Sequence, residues 1–141
     1  MRFMLMLKGD PPADNQPSVE LIEGMVAFQQ SLGEAGVLLL AEGLHPSATG
    51  AKVVCLDGKR TVQDGPFAEA KELIAGFYLI DVRSKEEAVA WASRCPVHLA
   101  VGPDVEAVIE VRQVADMEEL SEATDEHRAA EHRLREGYTL G

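Results

Sequence analysis

Asp64-Gly65-Pro66-Phe67-Ala68-Glu69-Ala70-Lys71-Glu72, with Gly76-Phe77-Tyr78-Leu79-Ile80-Asp81-Val82 close behind it, is the stretch on which the fold reading turns. An acid on a Gly-Pro turn makes a rigid corner, and the aromatic and aliphatic run over 73–82 has the composition of a central strand. Just upstream, 51–56 and 59–63 flank Asp57-Gly58, a dipeptide that adopts the positive φ angles of a type I′ turn. The hairpin delivers Asp64 to the corner.

Working outward, Arg2–Lys8 is apolar between charged ends, as in a strand buried on both faces. After the Pro-rich loop 9–17, Ser18 is placed to cap a helix whose Leu21, Met25, Phe28 and Leu32 form one stripe and which Gly36 ends. A second strand over 37–41 leads into the corner Glu42-Gly43-Leu44-His45-Pro46. Ser84-Lys85-Glu86-Glu87 is a capping box that opens a helix with Ala88, Trp91, Ala92 and Cys95 inward, closed by Pro96. A last strand covers 107–114. The order strand, helix, strand, hairpin, strand, helix, strand predicts an α+β, ferredoxin-like domain over 1–115 with an inserted β-hairpin.

From Asp116 onward the composition shifts to Glu, Ala, Arg and His, which predicts a C-terminal helical extension over 116–141. Asp116 and Glu119 are its expected cap, Leu120, Ala123, His127, Ala130 and Leu134 its thin stripe, and 137–141 its fraying end. With little core of its own, the extension packs on a partner or projects into solvent.

Two helices cover one face of such a sheet, yet the strands are apolar on both: Phe3, Leu5 and Leu7 against Met4 and Met6, Tyr78 and Ile80 against Phe77 and Leu79. An uncovered apolar face exceeds the patch that a soluble monomer normally shows. A homodimer with sheet packed on sheet is expected.

The 141 residues carry a net charge of -11, which opposes direct contact with nucleic acid or an anionic membrane, since both require clustered Lys and Arg. No apolar run approaches the roughly 20 residues that cross a bilayer, and the N-terminus lacks a signal-peptide layout. A soluble, cytoplasmic protein is expected. Cys55 and Cys95 have no ligand-like spacing and read as two buried, reduced thiols. The sequence calls for no metal and no cofactor.

DGPFAEAKE over 64–72, GFYLIDV over 76–82, the helix ending in WASRCP over 91–96 and IEVRQV over 109–114 together resemble the YCII-related family, specifically its DGPF branch, whose signature reads DGPFAETKE. The resemblance covers about residues 1 to 114 and implies a dimeric α+β barrel built on ferredoxin-like topology. Founding YCII-like proteins are proposed to carry a His/Asp pair, with the His in the first helix and the Asp in an Asp-Pro-Tyr run after the second. One relative is similar to a dehalogenating enzyme of aromatic degradation. This chain has no histidine between Ser18 and Gly36 and reads Cys95-Pro96-Val97 where Asp-Pro-Tyr would stand, so the pair is not carried over. The branch ending EVRPV has Gln113 here in place of proline. Branch members are often encoded beside, or fused to, sigma factors of the extracytoplasmic-function type, which implies a regulatory association and a sigma factor as protein partner.

The candidate catalytic residues are His45, on the loop after a strand, and Asp64, on the Gly-Pro corner; if close in space, they would be oriented for proton transfer. Each also has a structural reading. Asp64 serves equally as an Asx-type cap whose carboxylate accepts backbone N–H groups at the start of a short helix from Phe67 to Glu72, and His45 as a plain turn residue. Glu42, Lys71 and Arg112 are the candidate ligand-binding residues, with the charges of the corner also readable as a solvated face. Arg112, inside a strand, must face solvent or meet a carboxylate such as Glu110 across the sheet or Asp64. Phe67 is expected to anchor the core or a dimer interface. His127 and Glu131, with His132 adjacent, are two metal ligands short of a set.

Two functions follow. The first, preferred because the family's pair is missing, is a small-ligand-binding or regulatory interaction protein. The second is a small-molecule enzyme of lyase or dehalogenase type, with His45 and Asp64 working in the barrel cleft.

Overall fold

A computed structural model describes residues 1–138 apart from 13 and 15. The strands are β1 (Arg2–Lys8), β2 (Leu38–Gly43), β3 (Ala51–Leu56), β4 (Lys59–Asp64), β5 (Ile74–Asp81) and β6 (Ile109–Gln113). The helices are α1 (Val19–Glu34), α2 (Lys85–Ala92) and α3 (Asp125–Glu136). β2, β5, β1 and β6 lie side by side in that order, each antiparallel to its neighbour, while β3 and β4 pair as a separate hairpin. This is the ferredoxin-like strand order with a hairpin inserted ahead of β5.

Local chemistry explains the boundaries. Ser18 Oγ accepts the Leu21 N–H at the start of α1, and Gly36, at φ 73°, supplies the left-handed residue after it. Ser84 Oγ accepts the Glu87 N–H as the expected cap, while Glu87 Oε2 reaches back to the N–H of Arg83, one residue ahead of the cap, so the second half of the expected capping box is displaced by one residue. Asp57 and Gly58 both have positive φ, 51° and 77°, as the tight hairpin turn requires.

Phe3 and Leu5 of β1, Tyr78 and Ile80 of β5, Phe28 and Leu32 of α1, Ala88 and Ala92 of α2, and Cys95 form one buried cluster. Phe28 meets Tyr78 edge to face, with ring centroids 5.1 Å apart. The register places the remaining residues on the opposite face. Met4 lies across from Leu79 and Arg112, Met6 from Phe77 and Glu110, Leu40 from Leu79, and Glu42 from Phe77. The face without helices is thus apolar in its middle and charged at its edges.

Three expectations need correction. Cys55 is exposed, not buried, because its hairpin stands outside the main sheet; Val53 and Val62 beside it are 66% and 68% exposed. The extension is not one helix: the Asp116/Glu119 box closes only the 3₁₀ turn Met117–Glu119, Leu120 turns extended, and Thr124 caps a new helix at Asp125. After the Gly-Pro corner there is no helix from Phe67, only the 3₁₀ turn Ala70–Glu72. Of the residues expected to fray, 139–141 lie outside the described part.

Candidate functional site

β1 and β2 both run antiparallel to β5, so they are parallel to each other and their C-terminal ends emerge where β5 begins. Three connections meet at that end: Gly9-Asp10 after β1, His45-Pro46-Ser47 after β2, and the Gly65-Pro66-Phe67 corner ahead of β5. Ser47 ties them together. Its backbone N–H donates to Asp10 Oδ1 at 2.7 Å and its hydroxyl to Asp10 Oδ2 at 2.5 Å, while its Oγ accepts the Phe67 N–H at 3.1 Å. The Gly65 N–H donates to the Gly50 carbonyl at 2.9 Å. The side-chain and then the backbone hydrogen bond from Ser47 hold the Asp10 carboxyl below its usual range.

Space makes Gly65 necessary here. A Cβ at that position would stand 1.7 Å from the Ser47 carbonyl oxygen and 2.7 Å from its carbon, so any side chain collides with backbone. The glycine of the motif is needed for close approach. Phe67 is half-buried, and the Lys52 ammonium lies 4.2 Å from its ring centroid.

The sequence candidates take the following places. His45 is exposed on the bend two residues before Ser47, and Asp64 is exposed at the last position of β4, opposite Ala51. The clasp brings their two segments together, but no hydrogen bond joins the two side chains among the described residues. Asp64 is not the acceptor for Phe67 that its capping role required; Ser47 is. Glu42 is exposed on the face without helices, and Lys71 is exposed in the Ala70–Glu72 turn. Arg112 does meet Glu110, at 2.6 Å, though along its own strand and not across the sheet, and it stays 72% exposed. Lys8 approaches the same Glu110 at 3.8 Å.

In α3 the metal-like residues are engaged elsewhere. His127 Nδ1 accepts the Thr124 N–H, Glu131 pairs with Arg135, and His132 pairs with Glu136. Among the described residues no three His, Cys, Asp or Glu side chains gather as a metal would need. Asp10 and Ser47, the residues that organise the corner, escaped the sequence reading. The available signal was the Gly-Asp-Pro break after the first strand and a serine after the His-Pro turn; linking them required knowing that the first two strands are parallel.

A family model described as the YCII-related domain matches residues 1–118. The chain belongs to the YCII-related family. An uncharacterised protein of Rhizobium meliloti (strain 1021) is 40% identical over 72 residues, which is 51% of this chain and 58% of that protein. The YCII-related match ends inside the Met117–Glu119 turn, so α3 lies outside the family domain. No helix among the described residues is long and apolar enough to cross a membrane.

Proposed function

We propose that this YCII-related protein, of the DGPF type, is a cytoplasmic homodimer that binds a small ligand and regulates through protein contacts, with a sigma factor as partner. The observation that carries the reading is the face without helices: Met4, Leu40, Phe77 and Leu79, all half-buried, lie across three adjacent strands around the buried Met6, edged by Glu42, Glu110 and Arg112. A central apolar area with a polar rim is the layout of a protein interface, and a second copy laid on it closes a barrel. The braced corner supports the same choice over catalysis. Each Asp10 oxygen accepts one bond from Ser47, and the Ser47 hydroxyl donates and accepts at once, so the best-oriented polar groups brace the loops.

Light scattering at micromolar concentration tests the dimer: twice the 15.3 kDa chain mass supports it and a single chain mass counts against it. A thermal-shift screen of aromatic and keto acids tests ligand binding, because a ligand of the native state raises the melting temperature. Retention of a sigma factor by the immobilised protein tests the partner. Turnover of a halogenated aromatic or a keto acid that disappears in His45→Ala and Asp64→Asn would replace this reading with a lyase or dehalogenase.

A further inference from the structure

A groove opens in the tail beyond the family domain. Met117, Leu120, Ala130 and Leu134 floor a shallow cleft of about 750 Å³ between the Met117–Glu119 turn and α3. Leu120 is 49% exposed and Leu134 65%, so the apolar floor faces outward and not into a core. Arg128 of α3 ties helix to turn, reaching Glu118 at 3.5 Å and the Leu120 carbonyl at 3.4 Å. An amphipathic helix with an open stripe lacks a partner for that stripe.

The charges around the groove select the occupant. Glu119, Glu122 and Glu131 stand among its lining residues, and no Lys or Arg does. Glu131 is paired with Arg135, whereas Glu119 and Glu122 meet no cation among the described residues. Over 116–136 the tail carries eight acids against three arginines. We propose that the groove docks a basic amphipathic helix of a partner protein, its apolar stripe on Leu120 and Leu134 and its Lys or Arg side chains against the glutamates.

The walls of the groove favour a helix as its guest. A strand needs an edge of unpaired backbone to join, and here the walls are a helix and a turn, so the occupant satisfies its own backbone hydrogen bonds. α3 has 12 residues and is about 18 Å long, which accommodates about three helical turns laid alongside it. No helix of this chain has the complementary character: α1 carries Glu20, Glu23 and Glu34 with no base, α2 sets Lys85 beside Glu86 and Glu87, and α3 is itself a wall. A second copy therefore offers no basic helical stripe, and the partner is a different protein. Such docking requires neither the sheet-to-sheet dimer nor the sigma factor of the proposed function, only a contact through the tail.

Fluorescence anisotropy of the full-length chain tests the assignment, with a fluorescein-labelled synthetic peptide of about 14 residues that carries leucine on one helical stripe and lysine elsewhere. A glutamate version of the peptide and a scrambled lysine version, in which the leucines no longer share a face, are the controls. The lysine peptide binds at least about tenfold more tightly than either control and loses affinity as NaCl rises from about 0.05 to about 0.5 M. Leu134→Gln weakens it by about tenfold, and Glu122→Lys weakens it by about fivefold while tightening the glutamate peptide, a gain that also shows the variant to be folded. Glu23→Lys makes the same change of net charge on α1 and leaves binding within about twofold of the parent. Equal binding of the scrambled or the glutamate peptide overturns the proposal, as does full affinity in Leu134→Gln or an equal loss in Glu23→Lys. A chain that self-associates and falls to a single chain mass in both Leu134→Gln and the hairpin variant Lys59→Glu/Arg60→Glu gives the groove to a second copy and overturns it as well.

Discussion

Gly65→Ala is the substitution that most sharply probes the clasp. The added Cβ would lie 1.7 Å from the Ser47 carbonyl oxygen, whereas ordinary contact begins at 3.4 Å, so the corner and the Ser47 turn must part by roughly the difference, about 1.7 Å. Neither side has a flexible end to yield, since the obstacle is backbone. A displacement of that size exceeds what hydrogen bonds tolerate, and it breaks the Gly65 N–H to Gly50 bond at 2.9 Å and the Phe67 N–H to Ser47 bond at 3.1 Å. Two neutral bonds at about 1 kcal/mol each, with some lost packing around Phe67, amount to about 2–4 kcal/mol. For a chain of this size that lowers the melting temperature by roughly 5–15 °C. Thermal and urea unfolding followed by circular dichroism measure it, with Gly33→Ala as the control. Gly33 lies in α1 with nothing within 4 Å of its Cβ position, so alanine there leaves stability unchanged or raises it by about 0.5–1 kcal/mol. A Gly65→Ala protein that melts within 1–2 °C of the parent, about what a neutral surface change gives, would refute the reasoning.

Ser47→Ala removes the hydroxyl that accepts from Phe67 and donates to Asp10, and the orphaned Phe67 N–H alone costs about 1–2 kcal/mol in urea unfolding. The same variant changes the acid limb. The folded-state pKa of Asp10 is depressed, so its contribution is present above the unfolded carboxylate range and is lost as pH falls through the folded value. Stability measured against pH below 5, roughly where carboxylates begin to titrate, therefore falls less steeply in Ser47→Ala than in the parent. At the alkaline end the sign reverses: burial raises Cys95 from 9.0 to about 11, and burial followed by the Cys95 charge raises Tyr78 from 10.0 to about 12. Both groups hold their protons more tightly when folded, so stability is intact below pH 9 and declines as pH rises through about 12. Tyr78→Phe flattens that decline between pH 10 and 12; an unchanged alkaline curve would remove Tyr78 from the account.

Much of the fold was legible because its signals are local. Ser18 and Ser84 cap the helices they precede, Asp57-Gly58 makes the hairpin turn, and the alternation in Arg2–Lys8 and in the 73–82 run separates the two faces. Cys55 was misplaced because a cysteine in a strand pattern without ligand spacing reads as a buried thiol, while an isolated hairpin has no second layer to bury it. The tail was misjudged where two capping signals, Asp116 and Thr124, compete, and both are used, one for a single 3₁₀ turn and one for the helix. The site was the least legible part. Asp64 drew attention by its place in the motif, but the groups that close the corner are Asp10 and Ser47, 37 residues apart in sequence. Only the parallel course of β1 and β2 joins them, and no local pattern encodes that contact.

The claim that a second copy covers the sheet is tested most directly by hydroxyl-radical labelling of the full-length chain at micromolar and at low nanomolar concentration. The account predicts that Met4, Phe77 and Leu79 are protected at the higher concentration and become reactive on dilution. Val53 and Val62, two-thirds exposed on the hairpin, serve as the internal reference and label alike at both. Equal labelling of Phe77 and Leu79 at the two concentrations would contradict the account and leave the sheet face uncovered.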